Sequence, residues 1–325
     1  MNITRRTMLG TVAAGFVASS GYEAFAQGDW PSRLVRLISP YGAGGSNDIS
    51  LRILAEQFGR SFNQQFIVEN RPGAGTRIAN EMVARAMPDG YTFLYAAAPY
   101  ATAEALFGKL KYERKDLQPV AMAVMAPLFL IVNAKAGITN LQELIARGKS
   151  QADGLTFASP GAGSQPHLAA ELWLRDAGVK GLNVQYRGDA MAYTELLAGR
   201  VDATLTAIST ALPHIQSGDF RVLGVASAER SAIYPDAPSL REQGFPNVIA
   251  SGWFGFMVPA ATPQLIIGRM QNEIIRALAD PEVKQKLLAQ GLEAHPGTAA
   301  DFGKFIDDET RKWGDLIRAT GLKGE

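Results

Sequence analysis

From Trp30 onward the chain alternates short apolar runs with longer stretches in which apolar residues recur every three or four positions. Leu34–Ile38, Phe66–Glu69 and Tyr91–Tyr95 read as strands. Between them Ile49, Ile53, Leu54 and Phe58 share one face of a helix running from Ile49 to about Phe62, and Ile78, Met82 and Ala86 share a face of a second. A βαβαβ order builds a parallel sheet with helices on its faces. The pattern then repeats. Pro127–Val132 is a strand, Leu141–Arg147 a helix capped by Asn140, Leu155–Ala158 a strand and Pro166–Ala177 a helix. Val184–Tyr186, the helix Ala190–Ala198, and the strands Ala203–Thr206 and Val222–Ala226 complete a second α/β unit over about 128–249. The tail is helical: Pro263 suits a helix start, and Ile266, Met270, Ile274 and Leu278 form a core-facing stripe. Asp280-Pro281 opens a further helix to about Gln290, and Ala299–Ala319 is the last. The nearest strand for these helices to pack on is Trp253–Val258.

Glycine-bearing loops follow three of these strands and precede helices, at 40–48, 70–76 and 159–164. A strand that empties through glycines into a helix start leaves backbone N–H groups unpaired and aimed at one spot, which suits a carboxylate or phosphate. The first loop, Ser39-Pro-Tyr-Gly-Ala-Gly-Gly-Ser-Asn-Asp48, offers Ser46, Asn47 or Asp48 as the helix cap. A plain strand–turn–helix connection would use similar residues, so one loop alone says little. Three in equivalent places point to a cleft between two α/β lobes, since ligands of open α/β sheets bind outside the carboxyl ends of the strands.

Composition narrows the chemistry. With 325 residues, 47% hydrophobic and 19% charged, the chain has room for two domains, and its formal net charge of +1 carries no nucleic-acid footprint. There is no cysteine, which removes disulfides and thiolate chemistry, and the three histidines (His167, His214, His295) are not spaced as metal ligands. No cofactor or metal is expected. At the N-terminus Arg5-Arg6 precede an apolar small-residue run from Met8 to about Ala18, and Ala24-Phe-Ala26 supplies a cleavage site. This is expected to be a signal peptide over 1–26 and the mature protein exported. Thr4-Arg5-Arg6-Thr7-Met8-Leu9 is similar to a twin-arginine signal, with Gly10 where lysine is usual, so both the Sec and the twin-arginine route stay open.

Enzyme motifs mostly fail. Gly42-Ala-Gly-Gly-Ser-Asn lacks dinucleotide-fingerprint spacing, and neither a phosphate loop nor a Gly-x-Ser-x-Gly elbow occurs. Ser164 and His167 stand three apart at a helix start, which keeps an exported hydrolase as the rival reading, though no orienting carboxylate is obvious. Arg71 and Arg187 are natural carboxylate partners, with a structural salt bridge the plainer role for Arg71. Asp202 reads as a turn or interlobe contact, His214 as a surface helix residue, and Trp253 and Phe254 as core or hinge packing. Tyr41, flanked by a glycine loop, is harder to place in a core and suits a pocket wall.

The sequence resembles the solute-binding receptors of tripartite tricarboxylate transporters, the Bug family of periplasmic proteins. The likeness runs over essentially the whole mature chain. It is carried by Trp30-Pro-Ser, Pro40-Tyr41…Gly44-Gly45…Asp48, Val68-Glu-Asn-Arg-Pro-Gly-Ala-Gly75, Ala86-Met-Pro-Asp-Gly-Tyr-Thr92, Phe157-Ala-Ser159…Gly163-Ser164…His167, Tyr186-Arg-Gly188, Ala211-Leu-Pro-His-Ile215 and Ala279-Asp-Pro-Glu-Val283. The resemblance implies a two-lobe Venus-flytrap fold of the periplasmic-binding-protein type II class. Residues 27–126 with 250–325 would form lobe 1, and 127–249 lobe 2. Crossing strands near 119–131 and 246–258 would be the hinge. It implies capture of a small organic carboxylate through backbone N–H groups, without catalysis, by a monomer serving a membrane permease. A ligand-sensing role beside a membrane signalling protein is also known in such receptors. Carried over, the pocket is Tyr41, Gly42, Ala43, Gly44, Gly45, Ser46 and Asp48, then Gly73, Ala74 and Gly75, then Ser159, Gly161, Ala162, Gly163, Ser164, His167 and Arg187. The family's first loop is often Pro-Phe-x-Pro-Gly-Gly; here Tyr41 replaces Phe, and Ala43 precedes the glycine pair. Ala96-Ala97-Ala98-Pro99-Tyr100 replaces a hydroxyl-bearing run, so the wall at Ala97 is expected to be apolar and to favour an aromatic or medium-length aliphatic acid.

Overall fold

The computed structural model describes residues 30–161, 163–186 and 189–324, so the expected signal peptide and the candidates Ala162 and Arg187 lie outside the described residues. In chain order, β1 (Val35–Ser39), α1 (Ser46–Phe62), β2 (Phe66–Asn70), α2 (Arg77–Ala84), β3 (Thr92–Ala97) and α3 (Pro99–Phe107) form the first unit, followed by β4 (Leu117–Asn133). Then come α4 (Leu141–Ser150), β5 (Leu155–Ser159), α5 (Gln165–Ala177), β6 (Gly181–Gln185), α6 (Asp189–Leu197), β7 (Ala203–Ala207), α7 (Ile208–Gln216) and β8 (Phe220–Val225). The chain ends with β9 (Ser251–Pro259), α8 (Gln264–Ala279), α9 (Pro281–Leu288), β10 (Glu293–Gly297) and α10 (Ala299–Thr320). This is the mixed α/β fold the periodicity predicts. Among the described residues no helix is long and apolar enough to cross a membrane.

β4 is the shared spine. Its first part pairs antiparallel with β9, from Leu117↔Pro259 to Pro127↔Ser251, and with β10 on its other side. From Leu128 it changes partners, pairing with β7 (Leu128↔Ala207) and β8 (Phe129↔Val225). One sheet therefore runs β2-β1-β3-β9-β4 and the other β4-β7-β5-β6, with parallel β1–β2, β1–β3, β5–β6 and β5–β7 ladders inside the two halves. The alternating pattern reads a strand only from Pro127, whereas β4 begins ten residues earlier at Leu117. The cause is local: Pro119 interrupts the apolar run, and the ladder absorbs it with a register shift between Pro119 and Ala121.

Both faces of each sheet are covered, which explains the continuous apolar runs in the strands. Successive residues point to opposite sides. Leu37 and Phe93 pack with Phe58, Phe256 and Met270, while their neighbours Ile38 and Leu94 pack with Val83, Trp253 and Phe302. In the second half Leu130 joins Phe157 and Trp173, and Phe129 joins Tyr193 and Leu196. Trp313, Leu316 and Ile317 of α10, together with Leu106 of α3, share the Phe157–Trp173 cluster, so the C-terminal helix ties the two halves together beside the β4 and β9 crossing.

Candidate functional site

Where the strands of the two sheets end, the structure leaves a cavity of about 650 Å³. That lies within the several-hundred-Å³ range of small-molecule sites. Its walls are the loops after β1, β3 and β5 and the start of α6. Ala126, Leu128, Gly252, Trp253 and Phe254 of the crossing strands, Gly75 of the loop after β2, Thr102, Leu106 and Phe107 of α3, and Thr206 and Ala207 at the end of β7 complete the lining.

The loop after β1 is built to hold its amides outward. Gly45, not a polar residue, is the N-cap of α1 and supplies no side-chain bond; the first helical bond runs from Ile49 N–H to the Gly45 carbonyl at 2.9 Å. The N–H groups of Ser46, Asn47 and Asp48 therefore emerge from the helix end without helical partners. The expected cap Asp48 does different work. Its buried carboxylate accepts the Gly44 N–H at 2.9 Å, both Arg52 nitrogens at 2.9 Å and the Asn70 amide at 2.9 Å. Burial pushes its pKa up, but the Arg52, Gly44 and Asn70 hydrogen bonds outweigh it and hold the carboxyl at about 2. Asn70 also donates to the Tyr41 carbonyl at 2.9 Å, and Ser39 Oγ donates to Asn47 Oδ1 at 2.8 Å. The loop is braced from behind. Burial raises the Tyr41 phenol above its ordinary range, so that ring faces the cavity uncharged.

In the second loop Ala74, Gly75 and Thr76 turn left-handed (φ 48, 58 and 74°), an arrangement costly for residues other than glycine and concentrated at functional sites. Arg77 steadies it, donating to the Ala74 carbonyl at 2.7 Å and stacking 3.6 Å over the Phe107 ring. In the third loop Ser164 caps α5: its Oγ accepts the His167 N–H at 3.3 Å and donates to the Gly161 carbonyl at 2.7 Å. His167 Nδ1 accepts the Gly163 N–H at 2.9 Å, so the neutral ring carries its proton on Nε2, 3.7 Å from Glu171. Neither ring nitrogen bonds the serine hydroxyl. Both residues are occupied in shaping the loop.

Of the residues expected in the pocket, Tyr41, Gly42, Ala43, Gly45, Ser46, Gly75, Ala97, Gly161, Gly163 and Ser164 line the cavity. Gly44, Asp48, Gly73, Ala74, Ser159 and His167 do not: Asp48, Ser159 and His167 are buried behind the wall, and Gly44, Gly73 and Ala74 are exposed beside it. Ser159 Oγ is buried against the Asn183 and Gln185 side chains at 2.6 and 2.8 Å. Gly73 has φ +128°, a backbone that favours glycine, and a Cβ there would also meet the Cδ1 of half-exposed Ile78 at 2.7 Å. Arg71 pairs with Glu69 at 3.0 Å, and Asp202 with Arg147 at 2.8 Å and the Thr156 N–H at 2.8 Å, both structural roles. Sequence reasoning missed Gln165, Asp189, Thr206, Leu106, Phe107 and the cavity-facing role of Trp253. Gln165 sits beside the singled-out Ser164, and Asp189 two positions after Arg187, but nothing in their spacing marks them. No lysine or arginine is among the described lining residues.

Residues 50–322 match the model of the tripartite tricarboxylate transporter family receptor. Protein BugT of Bordetella pertussis is 36% identical over 99% of this chain and 99% of its own length. Among solved structures, periplasmic binding protein BugD superposes with a TM-score of 0.75 at 29% identity, covering 91% of this chain and 100% of that one. R. palustris Rpa4515 with adipate does so with a TM-score of 0.80 at 27% identity, over 91% and 100%. BugD is a periplasmic binding protein, and the likeness of this α/β arrangement to it is consistent with a two-lobe flytrap. The chain belongs to the tripartite tricarboxylate transporter receptor family, within its Bug group.

Proposed function

We propose that this protein captures a small organic carboxylate for a tripartite tricarboxylate-type transporter and hands it to a membrane permease unchanged. One observation carries the reading: the α1 N-terminus, capped by a glycine with no side chain to fill its amides, lies on the cavity wall through Gly45, Ser46 and Asn47. Unpaired helix-start amides favour an anion. The adipate bound to the R. palustris relative supports the same ligand chemistry here. The apolar wall of Ala97, Ala98, Pro99, Leu106 and Phe107 supports an acid with a hydrocarbon or aromatic body. Capture without conversion is supported by the loop-shaping roles of Ser164 and His167.

The lobes we assign are 27–126 with 250–325, and 127–249, moving about β4 and the entry to β9, with one copy of the chain as the working unit. The partner change of β4 at Leu128 supports that division. The protein would act in the periplasm after removal of 1–26. Thermal melts of the purified protein with adipate, malate, citrate, benzoate and nicotinate test the reading. An acid held at a hundredfold excess over its Kd stabilises by about 2.7 kcal/mol, which raises the melting temperature by about 4 °C for a chain of this size. A panel in which no acid moves the melt refutes it.

A further inference from the structure

Asp189 is the feature of the cavity that a plain anion site does not explain. It opens α6, is half-buried, and lines the cavity together with Thr206 and Ala207. Its one side-chain bond among the described residues is a long one, 3.4 Å from Thr206 Oγ1, whose own partner is the Tyr193 hydroxyl at 2.9 Å. Among the described residues that leaves most of the carboxylate's acceptor capacity unused. Burial raises its pKa, while its place at the start of a nine-residue helix favours the ionised form. A second group points to the same conclusion. Gln165 is only 8% exposed, lies on the cavity wall, and neither its side-chain oxygen nor its nitrogen has a partner among the described residues. Buried polar groups are normally satisfied, so an orphaned amide on a cavity wall marks a place where a ligand supplies the bonds.

A carboxylate on the wall works against a ligand that is negative at both ends, because like charges in a poorly solvated space repel strongly. It favours a ligand whose far end is cationic. Resting on the carboxylate-capture reading, we infer that the ligand is an amino acid, held by its carboxylate at the α1 amides and by its protonated amine at Asp189. Gln165 supplies a further hydrogen bond to the polar end. The hydrocarbon skeleton between crosses Ala97, Leu106 and Phe254.

Matched acids with and without an amine provide the test: adipate against 2-aminoadipate, valerate against 5-aminovalerate, and benzoate against 4-(aminomethyl)benzoate, each titrated calorimetrically at pH 7. In at least one pair the amine-bearing acid should bind about 30-fold more tightly, the loss typical of unpairing a buried charge contact, and Asp189→Asn should erase the difference. The wild-type comparison stands even where the variant folds poorly. Equal or weaker binding of the amine-bearing acid in every pair, with affinity kept or raised in Asp189→Asn, overturns the inference and leaves carboxylate capture intact. Binding of none of the acids overturns both.

Discussion

Gly163 offers a way to separate closure of the lobes from folding. It lies on the loop after β5, on the half built around β7, and a Cβ placed on it would meet Leu106 Cδ1 at 2.7 Å. Leu106 belongs to α3, which follows β3 in the other half. Gly163 also has φ +70°, so Gly163→Ala carries two separate costs. The left-handed strain, about 1–2 kcal/mol, is present whether the lobes are open or closed. On the hinge motion proposed above, the contact with Leu106 is confined to the closed form. Overpacking costs about 1–3 kcal/mol, and because the atom encountered is a side-chain tip, about 1–2 kcal/mol is the relevant part of that range. A penalty confined to the closed form weakens a ligand that binds that form by about 5- to 30-fold. Titration calorimetry with the best acid of the panel measures it, and a melt of the ligand-free protein isolates the strain common to both forms. Because Leu106 also lines the cavity, the clean comparison is a cycle: Gly163→Ala should cost less affinity in a Leu106→Ala background than in the wild type. Undiminished affinity in Gly163→Ala, or the same loss in both backgrounds, would refute the claim that these loops meet on closure.

Two further expectations follow from the site. Asp48 and Glu69 both sit at about 2: for Glu69 the Arg36 hydrogen bond lowers it most, burial opposes, and Arg71 adds to the lowering. Their unfolded values are near 3.8 and 4.5, so their stabilisation is complete above about pH 4.5 and disappears as pH falls toward 2, on the order of 2 kcal/mol each. Melting temperature measured from pH 7 to 3 should drop at the acid end, and Arg52→Ala, by letting the Asp48 pKa rise toward its unfolded value, should lower the melt at pH 7 and shrink the acid drop; an unchanged drop counts against the bracing role of Asp48. Ser164→Ala should lose a helix cap, lowering stability by about 1 kcal/mol. Mass spectrometry of the acid after long incubation should find it unaltered with either protein, and conversion seen with wild type but not with the variant would revive the hydrolase.

The parts of the fold that depend on local periodicity were legible in the sequence. The alternation of strands and helices, the Asn140 cap (its Oδ1 accepts the Glu143 N–H at 3.0 Å) and the Arg71 ion pair follow from neighbours a few residues apart. What depends on distant residues was not. The role of Asp48 is set by Asn70, 22 positions away, and nothing in the first loop reveals that partner. Helix α1 starts at Ser46, three residues before the first apolar position, because Gly45 takes the cap that a polar residue was expected to fill. The left-handed turn at Ala74–Thr76 also escapes a reading by residue type, since only Gly75 among the three favours that backbone. Asp189 escapes because its meaning lies in what surrounds it: a charged residue at a helix start is ordinary on a surface and unusual on a cavity wall.

Asp48 also bears on why a receptor for anions carries no described cation on its pocket wall. Arg52 stands about one helical turn along α1 from its uncapped amides. Asp48 takes the guanidinium in a two-pronged pair behind the loop, its carboxylate only 3% exposed, and spends its remaining capacity on Gly44 and Asn70. A free arginine in the cleft would be solvated when the lobes part and would have to shed that water as they meet, so much of its attraction would be lost to desolvation. Helix-start amides carry only a fractional charge and are already fixed in direction. They therefore favour the anion with little reorganisation on closure. The arrangement uses Arg52 to hold the amides still rather than to hold the ligand. Arg52→Ala should accordingly weaken binding by loosening the loop, and Arg52→Lys, which keeps the charge but loses the two-pronged geometry, should not restore it.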